Sequence, residues 1–278
     1  MHGSSMQVKI KNIENIMGGG QHMNLENKKI VLTGASSGIG KAILAELKKH
    51  NVQVLVGDLE PKKVETVTGK IMAEKCDVSN PQNIDKLFAS AQKKLGGIDI
   101  FIANAGFAYY EQIKKSDYDH IEKIYKVNFM APVYITEKMK ELNKGKEYMV
   151  VITASAMARL ALPGYALYSS TKAALDSFAS AYRYEKDDLG IISLIYPIAT
   201  KTEFFRVAAG DTTPVPFPAQ TPEMVARAVI KGIRKNKIAI FPSKLFVSMM
   251  VINRYLPVIF PVYLRIEQAK LFKWLRNS

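Results

Sequence analysis

Ile30-Val31-Leu32-Thr33-Gly34-Ala35-Ser36-Ser37-Gly38-Ile39-Gly40 carries the chain from an aliphatic run, through a glycine-rich turn, into an amphipathic stretch. A loop that leaves a strand and opens a helix is where glycines let a backbone approach a pyrophosphate. The helix start adds unpaired N–H groups and the positive end of its dipole, both suited to phosphate. Gly34, Ser36, Ser37, Gly38, Ile39 and Gly40 are therefore the first candidate cofactor-binding residues. Asp58 stands eighteen residues beyond Gly40, at the end of the next aliphatic run. A carboxylate there accepts hydrogen bonds from adenosine ribose hydroxyls and repels a 2′-phosphate, which favours NAD over NADP. Lys41, Lys62 and Lys63 lie close enough in sequence to soften that preference.

Outward from this loop, short aliphatic runs alternate with longer amphipathic stretches, the pattern of a parallel sheet covered by helices on both faces. Strands are expected at Ile30–Thr33, Gln53–Gly57, Lys70–Lys75, Ile98–Ala103, Tyr148–Thr153, Ile191–Tyr196 and Lys237–Phe241. Helices are expected at Gly38–His50, Pro81–Leu95, Tyr118–Asn143, Tyr165–Leu189 and Pro222–Lys235. The fold class is thus α/β, a Rossmann-type doubly wound sheet of about seven parallel strands. Residues 23–242 form this single domain, and residues 243–278 a hydrophobic, basic C-terminal extension. Residues 1–22 read as an appended or flexible segment, because Gly18-Gly19-Gly20-Gln21-His22-Met23 resembles a cloning junction ahead of a start at Met23.

The length and apolar content, 278 residues at 48% hydrophobic, suit one large globular domain and exclude disorder for most of the chain. Cys76 is the only cysteine, so no intrachain disulfide forms and a reduced, cytoplasmic setting is the default. His2, His22, His50 and His120 are scattered without partners at ligand spacing; they read as surface histidines, and no metal site is expected. The formal net charge of +14 is uneven: from Thr221 onward eleven Lys/Arg face two Glu, a balance of +9 that leaves +5 for everything before. No nucleic-acid motif accompanies the basic tail, so an anionic membrane surface is the better partner.

Tyr168 and Lys172 are four residues apart, which places a phenol and an ammonium on one helix face. A free phenol titrates near ~10, and a neighbouring cation lowers that value, so the pair can make tyrosine an acid and base. Together with the Gly-x-x-x-Gly-x-Gly spacing of residues 34–40, the Tyr-x-x-x-Lys pair resembles the short-chain dehydrogenase/reductase family. Further matches run in family order: Cys76-Asp77-Val78 after the third strand, Asn104-Ala105-Gly106 after the fourth, Asn128 in the following helix, Ser155 thirteen residues before Tyr168, and Pro197 and Thr202 after the sixth strand.

The resemblance implies catalytic Asn128, Ser155, Tyr168 and Lys172. It places the adenine beside Asp77 and Val78, and the rest of the cofactor along Asn104, Ala105, Gly106, Tyr168, Lys172, Pro197 and Thr202. Lys172 would hold the nicotinamide ribose, and Asn128 a water relaying protons to solvent. Tyr168 would move the proton and Ser155 steady the substrate oxygen while hydride passes to or from the nicotinamide. One departure stands out: Ile198 follows Pro197 where the family usually has glycine, and its Cβ restricts the backbone there.

The expected activity is NAD(P)-dependent interconversion of a secondary alcohol and a ketone. Two alternatives stand beside it: an NADPH-dependent carbonyl reductase, and a catalytically idle dinucleotide-binding or membrane-attached regulatory protein. Phe204, Phe205, Pro214, Pro216, Phe217 and Pro218 in the long loop 203–220 point to an apolar small-molecule substrate, because long loops are often lids. The resemblance implies a homodimer or homotetramer. Ser243–Leu264, interrupted by Arg254, Pro257 and Pro261, is too broken to span a bilayer. Three destinations remain open to the tail: the membrane interface, the substrate cleft, or another subunit.

Overall fold

The computed structural model describes residues 22–277. The expectation for residues 1–22 therefore lies, His22 apart, outside the described residues. Seven strands form one parallel sheet: β1 (Lys29–Thr33), β2 (Gln53–Asp58), β3 (Ile71–Lys75), β4 (Ile100–Ala103), β5 (Tyr148–Thr153), β6 (Gly190–Ile195) and β7 (Ala239–Ile240). Their spatial order is β3-β2-β1-β4-β5-β6-β7, so the winding reverses between β1 and β4. That reversal opens a crevice at the carboxyl ends of the two strands, the place where open α/β sheets bind ligands.

The helices are α1 (Gly38–Leu47), α2 (Pro81–Leu95), α3 (Tyr118–Tyr125), α4 (Ala131–Leu142), α5 (Ala166–Glu185), α6 (Phe204–Ala209), α7 (Pro222–Arg234), α8 (Lys244–Tyr255) and α9 (Ile259–Asn277). The strands read as aliphatic runs because both sheet faces are covered. Ile30, Leu32, Val54, Val56 and Ile100 pack beneath α1 and α7, while Val31, Leu55, Phe101, Val150 and Ile152 pack beneath α2, α4 and α5. A third, aromatic-rich cluster gathers Tyr110, Tyr165, Tyr168, Phe205 and Leu271.

Three elements depart from the sequence expectation. The long helix over Tyr118–Asn143 is interrupted by a π-helical turn at Lys126–Met130, closed by the Ala131 N–H on the Lys126 carbonyl. Pro132 has no N–H to offer the Asn128 carbonyl four residues back, which breaks the α-helical ladder at this point. The loop 203–220 holds a helix of its own, α6, whose Phe205 is buried. Its two ends are tied together, since Gln220 donates to the Ala199 carbonyl (2.8 Å) and Lys201 to that of Gln220 (2.9 Å). The tail forms α8 and α9, bent by 119° at their junction. Among the described residues no single helix is long and apolar enough to cross a membrane.

Candidate active site

The glycine loop is shaped by contacts that only glycine permits. Gly34 and Gly38 adopt positive φ, +71° and +55°. A Cβ at Gly40 would stand 1.8 Å from the Gly34 carbonyl oxygen and 2.5 Å from Asn104 Nδ2. Asn104 is the clasp of this turn: its Nδ2 donates to the Gly34 carbonyl (2.8 Å), and its Oδ1 accepts from Thr153 Oγ1 (3.1 Å). Thr33 Oγ1 in turn accepts the N–H groups of Asn104 (3.1 Å) and Ala105 (3.2 Å). The ends of β1, β4 and β5 are thereby tied together under the loop.

Ser37 leads α1 without a side-chain cap, whereas Asn80, Asp117, Thr221 and Ser243 each cap the helix they precede. The first-turn N–H groups of α1 are thus left by their own cap, as a phosphate site requires. Asp58, 5% exposed, accepts the Ser36 N–H on one oxygen and the Glu60 N–H on the other, both at 2.9 Å. These bonds fix the carboxylate at the loop's edge. Asp77 accepts the Ser79 N–H (2.9 Å), and Val78 is buried beneath α2; both follow β3, the strand that pairs with β2. Thr202 lies against Gly38, whose added Cβ would meet its methyl group at 3.4 Å.

Across the crevice, Ser155 follows β5 and accepts the Met157 N–H (3.0 Å), opening a short 3₁₀ turn. Its hydroxyl lies near enough to Tyr168 on α5 to pull the phenol's pKa downward. One turn further along α5, Lys172 Nζ donates to the Thr153 carbonyl (2.7 Å) and lies 5.5 Å from the Tyr168 ring centre. Asn128 projects from the π turn, bonding the Phe107 N–H (3.1 Å), the Phe107 carbonyl (2.8 Å) and Thr171 Oγ1 (3.3 Å). A Cβ at Gly106 would stand 3.0 Å from Asn128 Oδ1 and 3.7 Å from Lys172 Nζ, so the bare glycine lets both approach. The four residues expected to carry chemistry are brought together.

Their electrostatics differ from the sequence expectation. Burial pushes the Tyr168 phenol up to about 12, with the Ser155 hydrogen bond pulling the other way. Burial pushes Lys172 down to about 7. Burial dominates both groups, because removal from water disfavours the charged form of each.

The polypeptide after β6 keeps its course despite Ile198. Among the described residues only Asn27 and Asn236 combine a side chain with positive φ, so Ile198 carries no left-handed strain. The Pro197 carbonyl accepts the Ala156 N–H (2.8 Å), joining this segment to the Ser155 turn.

The chain matches the family model described as short chain dehydrogenase over residues 28–211. It belongs to the short chain dehydrogenase family. A fatty acyl-CoA reductase of Mycobacterium tuberculosis is 29% identical over 228 residues, covering 77% of this chain and 78% of that one. A 3-ketoacyl-(acyl-carrier-protein) reductase from Brucella melitensis, solved in complex with NADH, superposes with a TM-score of 0.68 at 24% identity. The match covers 78% of this chain and 97% of that structure. A short chain dehydrogenase from Burkholderia cenocepacia, solved with NADP, gives 0.66 at 20% identity, covering 79% of this chain and 97% of the other. These two likenesses concern the fold.

The structure adds residues that the motifs did not name. Thr33, Thr153 and Thr171 hold Asn104, Lys172 or Asn128 in place, yet a strand-end or helix threonine gives no distinctive sequence signal. Phe204 and Tyr165 pack on Tyr168, with ring centres 5.4 Å and 6.4 Å away, and Tyr110 extends the cluster from Tyr165 to Trp274. His120 is not the plain surface histidine expected; it stacks on Tyr109 at 3.7 Å and pairs with Glu111 at 2.8 Å.

Proposed function

We propose that the protein is an NAD(P)-dependent oxidoreductase that interconverts a secondary alcohol and a ketone on an apolar small molecule. The observation that carries this reading is the meeting of Asn128, Ser155, Tyr168 and Lys172 at the crevice whose other side is the glycine loop. A dinucleotide suits the residues present: an uncapped α1 start for phosphate, Asp58 for a ribose, and Thr202 beside Gly38. When bound, it would supply or accept the hydride.

Tyr168 does the acid–base work at its hydroxyl, giving a proton to the carbonyl oxygen in reduction and taking it back in oxidation. Burial keeps this phenol protonated at neutral pH, the form from which reduction starts. The Ser155 hydroxyl, close to Tyr168, steadies the charge developing on the substrate oxygen. Lys172 changes protonation near neutrality, which suits it to replenish Tyr168 and, facing ribose hydroxyls, to hold them. Asn128, beside it across Gly106, is assigned to the proton path. The aromatic cluster around Tyr168 supports an apolar substrate, in keeping with the acyl chain named for the mycobacterial relative.

NAD is the favoured partner. Asp58 is fixed in place, and the Lys63 ammonium that would face a 2′-phosphate is already paired with Glu60 (2.8 Å). Exposed Tyr118, Ile121 and Met130 around α3, and Tyr184 on α5, support a homo-oligomer joined through these helices.

Tyr168→Phe tests the mechanism. Turnover in a screen of alcohols and ketones, followed by nicotinamide absorbance, is expected to fall roughly 10²–10⁴-fold, the usual worth of a general acid. Dinucleotide binding is expected to persist. Turnover like the wild type in that variant would remove Tyr168 from the reaction.

A further inference from the structure

The α8–α9 hairpin has two apolar faces, and the fold uses only one. Its inner face joins the aromatic cluster: Leu271 is buried there, Tyr263, Leu264 and Leu275 pack beside it, and Trp274 Nε1 donates to Thr212 Oγ1 (3.1 Å). This packs α9 against the aromatic cluster that also holds Tyr168. The outer face has no covering among the described residues. Ten of the twenty-one large apolar side chains exposed in the described protein fall between Leu245 and Phe272.

They are ordered rather than scattered. Leu245, Val251, Ile252 and Tyr255 recur at helical spacing along α8, and Val262 and Ile266 continue on α9. At the bend, Tyr255 (77% exposed), Leu256 (58%) and Val258 (62%) form a projecting apolar tip. The same segment is strongly basic: Lys244, Arg254, Arg265, Lys270, Lys273 and Arg276 stand against one acid, Glu267. Glu267 is itself buried and paired with Lys270 (2.6 Å).

We propose that the α8–α9 hairpin seats on an anionic lipid surface, its tip entering the acyl boundary and its basic side chains meeting the headgroups, so that the aromatic cluster packed against α9 lies beside the bilayer. Exposed apolar side chains together with an excess of cations make the composition of an interfacial segment. A second copy of the same hairpin would bring like charges together, which disfavours self-pairing as the covering. The bent pair also meets the length and composition of a membrane segment, while neither helix alone does.

The test is sedimentation of the full chain with phosphatidylcholine vesicles, with and without phosphatidylserine, at low and high salt. The wild type is expected to pellet only with phosphatidylserine and to be released by salt. Leu256→Glu combined with Val258→Glu is expected to lower the bound fraction by ~tenfold or more while leaving the unfolding temperature unchanged, since both side chains are solvent-exposed. Wild-type protein that stays in the supernatant with phosphatidylserine at low salt overturns the proposal. So does a double variant that pellets like the wild type, or a dimer abolished by the double substitution in a protein that never binds vesicles. None of these readings depends on turnover, so the surface and the oxidoreductase reading fail separately.

Discussion

Asp58 joins a structural role to the selective one proposed for it. Its oxygens receive the Ser36 and Glu60 N–H groups, which positions the first turn after β1 against the end of β2. Each oxygen keeps a second lone pair, the capacity that a ribose hydroxyl would use. Asp58→Asn keeps the size and removes the charge. The ratio of kcat/KM with NAD to that with NADP is expected to fall about tenfold or more, since a hydrogen bond to a charged group contributes roughly 1.5–3 kcal/mol. An unchanged ratio refutes the ribose assignment. Asp58 was legible because strand-end position and distance from the glycine loop are sequence properties. Asn104 was legible only as a motif. Its use as a clasp, spanning Gly34 and Thr153, depends on two strands that are adjacent in space and distant in sequence.

At the scale of elements, the loop 203–220 and the tail form a joint wall that neither segment announced. Phe204 and Phe205 of α6 pack on Tyr168 and Tyr165, and α9 closes against the same cluster through Leu271 and Trp274. The bond from Trp274 to Thr212 fastens one segment to the other. Trp274→Ala removes this bond and the contact with Tyr110 (ring centres 5.0 Å apart). It is expected to lower unfolding free energy by roughly 1–3 kcal/mol in denaturant titration, with a larger loss of turnover on bulky than on small substrates. Equal losses on both would show that the wall has no part in substrate choice. The sequence left three destinations for the tail. Tertiary packing sets its inner face on the aromatic cluster, where Gly164, without a Cβ, lets Tyr110 and Leu271 close together.

For the whole molecule, burying Lys172 sets a pH dependence of stability. Its pKa falls from 10.5 to about 7 on folding. Below about 7 both folded and unfolded chains carry the proton, and the folded state bears the full cost of a buried ammonium. Between about 7 and 10.5 only the unfolded chain holds it, so this contribution to stability rises with pH through that window. At roughly 1.4 kcal/mol per pKa unit the cost reaches on the order of 5 kcal/mol. Lys172→Met is therefore expected to be more stable than the ligand-free wild type near neutrality. That advantage should shrink toward pH ~10, less the small loss from the Thr153 carbonyl. Thermal unfolding of both proteins across this range checks it; a difference that does not vary with pH would mean the lysine is neutral or solvated throughout.

The sequence by itself determined the parallel sheet, the order of its strands and helices, and the loop of Gly34, Gly38 and Gly40. Aliphatic runs, helix starts and glycine spacing are local properties, and they act over a few residues. Only the tertiary structure decided the state of the chemistry at those positions. Lys172 stands one turn from Tyr168 in sequence, as its spacing implied, yet its ammonium bonds Thr153 and both groups are shut from water. Desolvation is set by everything packed around a side chain, and the packing here comes from β5, the π turn and α6 together.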